Sequence, residues 1–150
     1  MPDFLTKAKR SALMSTIRSR GNKDTELALA RLLRRHGITG WRRNEPLVGK
    51  PDFVFRTARL ALFVDGCFWH FCPKHSHFPE SNDLFWRNKF SRNRARDRFV
   101  TRQLRIRGWR VLRIWEHELA RKNEFRLIRR IWRELACCTS GPKICFPKSC

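Results

Sequence analysis

Residues 63–77 read Phe-Val-Asp-Gly-Cys-Phe-Trp-His-Phe-Cys-Pro-Lys-His-Ser-His. The apolar run Leu60 to Val64 leads in, so the segment enters as a buried strand and breaks at Gly66. Two of the six cysteines and three of the five histidines fall within it. Loops at strand ends are where a rigid scaffold presents chemistry. Cys67, Cys72 and His75 have the type and spacing of zinc ligands, and His77 competes with His75 on sequence alone. A tetrahedral site needs a fourth ligand, which the strand end Trp115-Glu116-His117 can supply. Buried cysteines are commonly small core hydrophobes, but these two stand with histidines across Gly and Pro breaks. His70 lies between them, left for other work.

Working outward, 150 residues suffice for one domain with a real core, and 41% hydrophobic residues with six Trp describe a folded chain. The charge is the outlier. Against 13 Asp and Glu stand 34 Lys and Arg, a net charge of +21. An Arg-dominated excess of this size is the footprint of a polyanion binder, and nucleic acid is the expected partner. No apolar run approaches the ~20 residues needed to span a bilayer, and the N-terminus lacks a signal-peptide core. A membrane partner is not expected. A reducing, cytoplasmic, nucleoid-associated setting is, with cysteines as metal ligands or free thiols.

Along the chain, residues 1–20 read as a basic N-terminal arm or short helix, 21–136 as the main domain and 137–150 as a loose Cys-rich tail. Asp24-Thr25 starts a helix ended by Gly37, with Leu27, Ala30 and Leu33 at helical spacing. Glu26, in its first turn, suits the helix dipole with no further role required. Residues 41–56 read as strand, Gly-Lys-Pro turn and strand, and a third strand spans about Arg59 to Val64. A long basic helix follows from Ser81-Asn82-Asp83 to about Arg107, with a possible break near Ser91-Arg92-Asn93. Trp109 to Trp115 is a fourth strand, and 124–135 is an amphipathic helix. The order α-β-β-β-α-β-α predicts one α/β domain with a mixed sheet.

Asp52 sits where a turn passes into a strand, and Asp65 ends the neighbouring strand a hairpin later. Adjacent antiparallel strands bring such positions together. Carboxylate oxygens are what hard Mg²⁺ wants beside waters and substrate phosphate. A Pro-Asp pair alone is ordinary turn chemistry; the basic chain, the second acid and His70 raise its meaning. A magnesium beside a phosphodiester polarises the phosphoryl oxygen, and a histidine titrating near neutrality can take the proton of the attacking water.

These residues resemble the very short patch repair endonucleases, the Vsr family of DNA mismatch nickases. The likeness runs from about Lys9 to Leu135. It rests on Arg10-Ser11, Met14, Ile17-Arg18, Thr25-Glu26 and Gly49-Lys50-Pro51-Asp52-Phe53. It continues through Val64-Asp65-Gly66-Cys67-Phe68-Trp69-His70, Phe85-Trp86, Asn93, Arg96-Asp97, Gly108-Trp109-Arg110-Val111-Leu112 and Trp115-Glu116-His117. The resemblance implies a restriction-endonuclease-like core, a structural zinc on Cys67, Cys72, His75 and His117, and a catalytic Mg²⁺ on Asp52. It further implies His70 as general base, Glu26 supporting the metal-water network and Asp97 orienting His70. Phe68, Trp69 and Trp86 would form an aromatic wedge into the duplex, with Met14 on the other side.

The best-known members carry threonine and histidine where Val64 and Asp65 stand. Val64 then offers the metal only its backbone carbonyl, whereas Asp65 is a stronger Mg²⁺ ligand than histidine. The spacing from Cys67 to Cys72 and His75 also differs from those members. The expected activity is Mg²⁺-dependent nicking of one strand at a T:G mismatch by a monomer, with mismatch-repair proteins recruiting it. Two rivals stand beside it: a nuclease of the same fold acting on another lesion or duplex, and a zinc-stabilised DNA-binding module without catalysis. Metal-dependent nicking separates the second of these from an enzyme.

Overall fold

The computed structural model describes residues 6, 8–9, 25–75 and 82–137. Met14, His77 and the tail beyond Cys137 therefore lie outside the described residues. Helix α1 spans Glu26–Arg35, followed by strands β1 (Trp41–Arg42), β2 (Phe53–Phe55) and β3 (Leu60–Asp65). Helix α2 (Asp83–Ile106), strand β4 (Arg110–Trp115) and helix α3 (Glu124–Ala136) complete the order, with short 3₁₀ turns at Glu116–Leu119 and Arg121–Asn123.

Helix α1 forms where an acid opens the first turn and Arg34 and Arg35 close the last, each complementing the helix dipole. Its end is a Schellman turn. Ile38 N–H reaches Leu33 O at 2.9 Å and Gly37 N–H reaches Arg34 O at 3.1 Å, with Gly37 at φ +66°. Helix α2 ends the same way: Trp109 bonds Leu104 at 2.9 Å, Gly108 bonds Arg105 at 2.9 Å, and Gly108 lies at φ +76°. Only a residue free of a Cβ penalty takes that conformation cheaply.

The sheet runs β1-β2-β3-β4. β1–β2 and β2–β3 pair antiparallel, β3–β4 parallel, in a register that sets Leu62 beside Leu112 and Asp65 beside Trp115. Alternation then sorts the side chains. Leu60, Leu62, Leu112 and Ile114 face α1 and α3 in the main core, where Leu29, Leu33, Leu127 and Ile131 are fully or almost fully buried. Ala61 and Phe63 face the other way, under Val100 and Leu104 of α2, with Val111 packed beside them. Because both faces are covered, β3 reads as a nearly unbroken apolar run.

Two readings shift. β1 is only two residues long, because Asn44 at φ 58° turns the chain aside just after it. Helix α2 runs 24 residues without the break considered near Ser91-Arg92-Asn93. There the Asn93 side chain leaves its own backbone alone and donates to Trp69 O at 2.9 Å. A short polar side chain that finds a tertiary partner has no need to compete with the helix. No helix among the described residues is long and apolar enough to cross a membrane.

Candidate active site and metal centre

A cleft of about 900 Å³ opens beside the carboxyl ends of β3 and β4, lined by Glu26, Asp52, Asp65, His70, Asp97 and Arg113 among others. In open α/β sheets this end of parallel strands is where ligands bind. The Gly49-Lys50-Pro51 turn aims Asp52 into it. Gly49 is at φ +76°, and an added Cβ would stand 2.2 Å from Val100 Cγ1, so the turn can lie on α2 only if that atom is absent. Lys50 follows at φ 52° and Pro51 is buried. Asp52 N–H then bonds Leu62 O at 3.0 Å, and Asp52 Oδ2 accepts Val64 N–H at 2.7 Å. The carboxylate thus takes the backbone donor just past the last β2–β3 rung, Phe53 with Leu62.

Burial first, and then the charges of Glu26 and Asp65, push the Asp52 carboxyl up to about 6, against the Val64 hydrogen bond that favours its ionised form. Glu26 shares a hydrogen bond with it and is itself ion-paired with Arg43. A half-buried carboxylate beside a second acid and left short of positive charge is the electrostatic profile of a divalent-cation site, so the donor set fits Mg²⁺.

Asp65 faces the α2 side of β3, as its parity with Phe63 dictates. There Arg113 grips it with Nε at 2.6 Å and Nη2 at 2.8 Å. The expectation of Asp65 as a strong Mg²⁺ ligand did not foresee this, since both of its oxygens are engaged by one guanidinium. His70 Nδ1 lies 2.6 Å from Asp97 Oδ2, so the structure brings these two residues together. Although burial opposes it, the His70 contact, followed by Arg113 and Arg96, holds the Asp97 carboxyl below the usual range.

The loop after β3 closes on itself through Cys72 N–H to Cys67 O at 2.9 Å, with Phe71 at φ 53°. That closure sets the two cysteines on one side. Cys67 Sγ lies 3.3 Å from His117 Nδ1, Cys72 Sγ 3.6 Å from the same nitrogen and 3.7 Å from His75 Nδ1. One ligand atom from each of Cys67, Cys72, His75 and His117 falls within 4.8 Å of the others. Tetrahedral zinc with its usual bond lengths needs edges of roughly 3.3–3.8 Å, so these contacts fit it. Burial raises the Cys67 thiol, with the nearby Cys72 adding to it, and burial and His75 lower His117. A thiol held protonated without an ion is what metal binding reverses. His117 is steadied by Asn123 Nδ2 on its carbonyl at 2.8 Å, and Cys67 N–H donates to Glu116 at 3.2 Å.

The aromatic residues pack on one another. Phe68 meets Trp69 and Trp86 edge-on at 5.2 Å each, and Phe90 at 5.6 Å. Phe68 and Trp69 are half-buried, and Trp86 is buried and stacked on Phe90. Its helix faces inward at that position, and the exposed neighbours are Leu84 and Phe85. Lys89 Nζ lies over Trp69 at 4.8 Å. The inner stripe of α2 reads Trp86, Phe90, Asn93, Asp97, Val100, Leu104, aromatic at one end, polar in the middle and aliphatic at the other.

Sequence reasoning missed Arg113 and Arg43. Arg113 was one of several arginines on an alternating strand, and only the β3–β4 register puts it beside Asp65.

Comparison with known proteins bears on the family. A family model described as DNA mismatch endonuclease Vsr matches residues 2–76. The DNA mismatch endonuclease Vsr of Escherichia coli (strain K12) is 38% identical over 121 residues, covering 77% of this chain and 74% of that protein. Type II nicking enzyme V.NmeDIP of Neisseria meningitidis serogroup C is 38% identical over 121 residues, 79% of this chain and 81% of the relative. Type II nicking enzyme V.NaeI of Lentzea aerocolonigenes is 54% identical over a shorter 69 residues, 46% of this chain and 42% of its own length. A match spanning the Gly49–Asp52 turn and the loop from Gly66 to His75, with relatives alike over most of their length, leaves one conclusion: the chain belongs to the Vsr family of DNA mismatch endonucleases.

Proposed function

We propose that this chain is a Mg²⁺-dependent endonuclease that nicks one strand of duplex DNA at a T:G mismatch, on a restriction-endonuclease-like core braced by zinc. The observation that carries the reading is Asp52, half-buried and raised to about 6 beside Glu26, in the same cleft as a histidine held by an acid. The names of the relatives, mismatch endonuclease and nicking enzymes, support the reaction class.

In this reading Asp52 and the Val64 carbonyl would hold the cation, with Glu26 supporting Asp52 beside it. When bound, the ion polarises the phosphoryl oxygen and stabilises the leaving oxygen. His70 is the general base. Asp97 engages Nδ1, which leaves Nε2 as the acceptor for the proton of the attacking water. Lys50 and Arg96, both at the cleft, counter phosphate charge. Zinc on Cys67, Cys72, His75 and His117 fixes the loop that carries Phe68, Trp69 and His70, so recognition and catalysis share one rigid segment. Phe68 and Trp69, half-buried at the surface, wedge the duplex where pairing is weak, because unstacking costs a few kcal/mol per step and least at a mismatch. The chain acts as a monomer that mismatch-repair proteins recruit.

The test is nicking of a panel of duplexes, each with one mismatch, in Mg²⁺ and in chelator. Metal-dependent cuts confined to one strand of the T:G duplex are expected. Tight DNA binding without any cut would leave a non-catalytic binding module; equal cutting of matched and mismatched duplex would remove the mismatch from the reading.

A further inference from the structure

Side chains from three elements form a ring around His70. Asp97 of α2 stands 2.6 Å from Nδ1, and Arg113 Nη2 lies 2.9 Å from the other Asp97 oxygen. Arg113 also binds Asp65 through Nε and Nη2, at 2.6 and 2.8 Å. Asp65 Oδ1 is then 3.8 Å from His70 Nε2, just outside hydrogen-bond range. The parallel register explains the meeting: Arg113 is paired with Phe63, two residues before Asp65, and residues two apart share a face. The guanidinium lies over the Phe63 ring at 4.9 Å. Its Nη1 is buried with no partner among the described residues. A buried donor without a partner is costly, so it is the two acids that hold the guanidinium in this position.

Without that cation, Asp65 would face His70 Nε2 and Asp52 as a bare carboxylate. Two outcomes are then open to it: to close on Nε2, capturing the nitrogen the reaction needs, or to swing to the metal. The fork prevents both, since it neutralises Asp65 and fixes its plane.

We propose that Arg113 is a positioning residue for the nicking reaction, which withholds Asp65 from both the metal and His70 Nε2 while steadying Asp97 on Nδ1. This rests on the functional reading above. Asp65 accordingly belongs to the histidine's surroundings and not to the cation's.

The experiment uses the full zinc-loaded chain, with folding of each variant checked by circular dichroism. Arg113→Gln lowers kcat for nicking about 10–100-fold, the usual scale for a group that orients another, and leaves KM within about threefold of wild type. Adding Asp65→Asn to it restores part of the lost kcat, because the competing carboxylate is gone; a merely structural Arg113 gives a double variant no better than the single. ¹⁵N signals of His70, read without DNA or Mg²⁺, show one tautomer in wild type and a shift in Arg113→Gln. That readout stands even if wild type nicks nothing, so it separates this inference from the function beneath it. Asp65→Asn alone leaves Mg²⁺ affinity, measured by calorimetry, within about twofold; a tenfold loss would make Asp65 a metal ligand and overturn the inference. Wild-type kcat and an unshifted His70 in Arg113→Gln would overturn it too. Should Arg113→Gln fail to fold, Arg113→Lys carries the same readings, since Lys keeps the charge but not the fork.

Discussion

Asp52 Oδ2 accepts the Val64 N–H at 2.7 Å, yet this bond does not offset the burial and the neighbouring acids that raise the same carboxyl to about 6. The sign follows from that balance. A carboxyl raised above its ordinary 3.8 costs the metal-free fold stability as pH climbs through 3.8 to about 6, and the cost is complete above it. Asp52→Asn should therefore stabilise the metal-free chain at neutral pH by up to about 3 kcal/mol and give no gain below pH 3.8. The same variant should lose Mg²⁺-dependent nicking and keep most of its DNA affinity, which the charge of +21 supplies. Melting curves across pH, with and without Mg²⁺, check the first half. Equal melting of the two proteins at pH 7 would refute it.

Zinc content and stability should move together. With four ligand atoms within 4.8 Å of one another, the purified chain should carry about one zinc, and Cys72→Ser should lose it with a sharp drop in melting temperature. His75 is exposed and Cys72 buried, so His75→Ala should weaken zinc affinity with a smaller change in melting. Metal analysis of each protein decides the matter.

Gly49 and Val100 are matched to each other. Gly49→Ala should cost about 1–3 kcal/mol from overpacking, plus the strain of a side chain at φ +76°. Val100→Ala removes the two methyls that stand 2.2 and 2.9 Å from the new Cβ, so the double variant should recover part of that loss. Denaturant midpoints of the four proteins test the coupling.

Glu124, buried at the start of α3, takes His36 Nε2 at 2.6 Å and Arg35 at 3.1 Å, contacts that tie α3 to the end of α1. The His36 hydrogen bond first, then Arg35, hold its carboxyl below the ordinary 4.5. That stabilisation is complete above pH 4.5 and is lost as pH falls through the lowered value. Glu124→Gln should cost about 1–2 kcal/mol at pH 7 and flatten the acid limb of the stability curve. An acid limb as steep as that of wild type would count against the pairing.

Trp69 and Trp86 should behave differently. Trp69→Ala should depress mismatch nicking far more than binding to matched DNA, zinc content being unchanged. Trp86 is buried against Phe90, so Trp86→Ala should cost about 3–5 kcal/mol of stability besides any effect on recognition. Mismatch preference that survives Trp69→Ala would move recognition to hydrogen bonds at base edges.

Much of this arrangement was legible in the residues, and the gaps have physical causes. Periodicity and Gly stops gave α1, β3, α2, β4 and α3 within a few residues, because both covered faces of the sheet and both Schellman ends leave strong local marks. The spacing of Cys67, Cys72 and His75 marked a local set of ligand types, whereas His117 joins the two cysteines from 50 and 45 residues away, just past the end of β4. Less legible were long-range facts. The acidity of Asp65 is visible in sequence, whereas its partner Arg113 lies 48 residues on and meets it only through strand register. Asn93 read as a helix breaker because its propensity is local and its partner, the carbonyl of Trp69, is not. Trp86 read as projecting because nothing in the sequence says which way α2 is rolled.

The unbroken α2 has a mechanical consequence. Trp86 and Asp97 ride on one rod, about 16 Å apart at 1.5 Å per residue, with Asn93 pinning the loop between them. The aromatic packing around Trp86 and the acid that contacts His70 Nδ1 therefore sit at a fixed separation on one continuous helix.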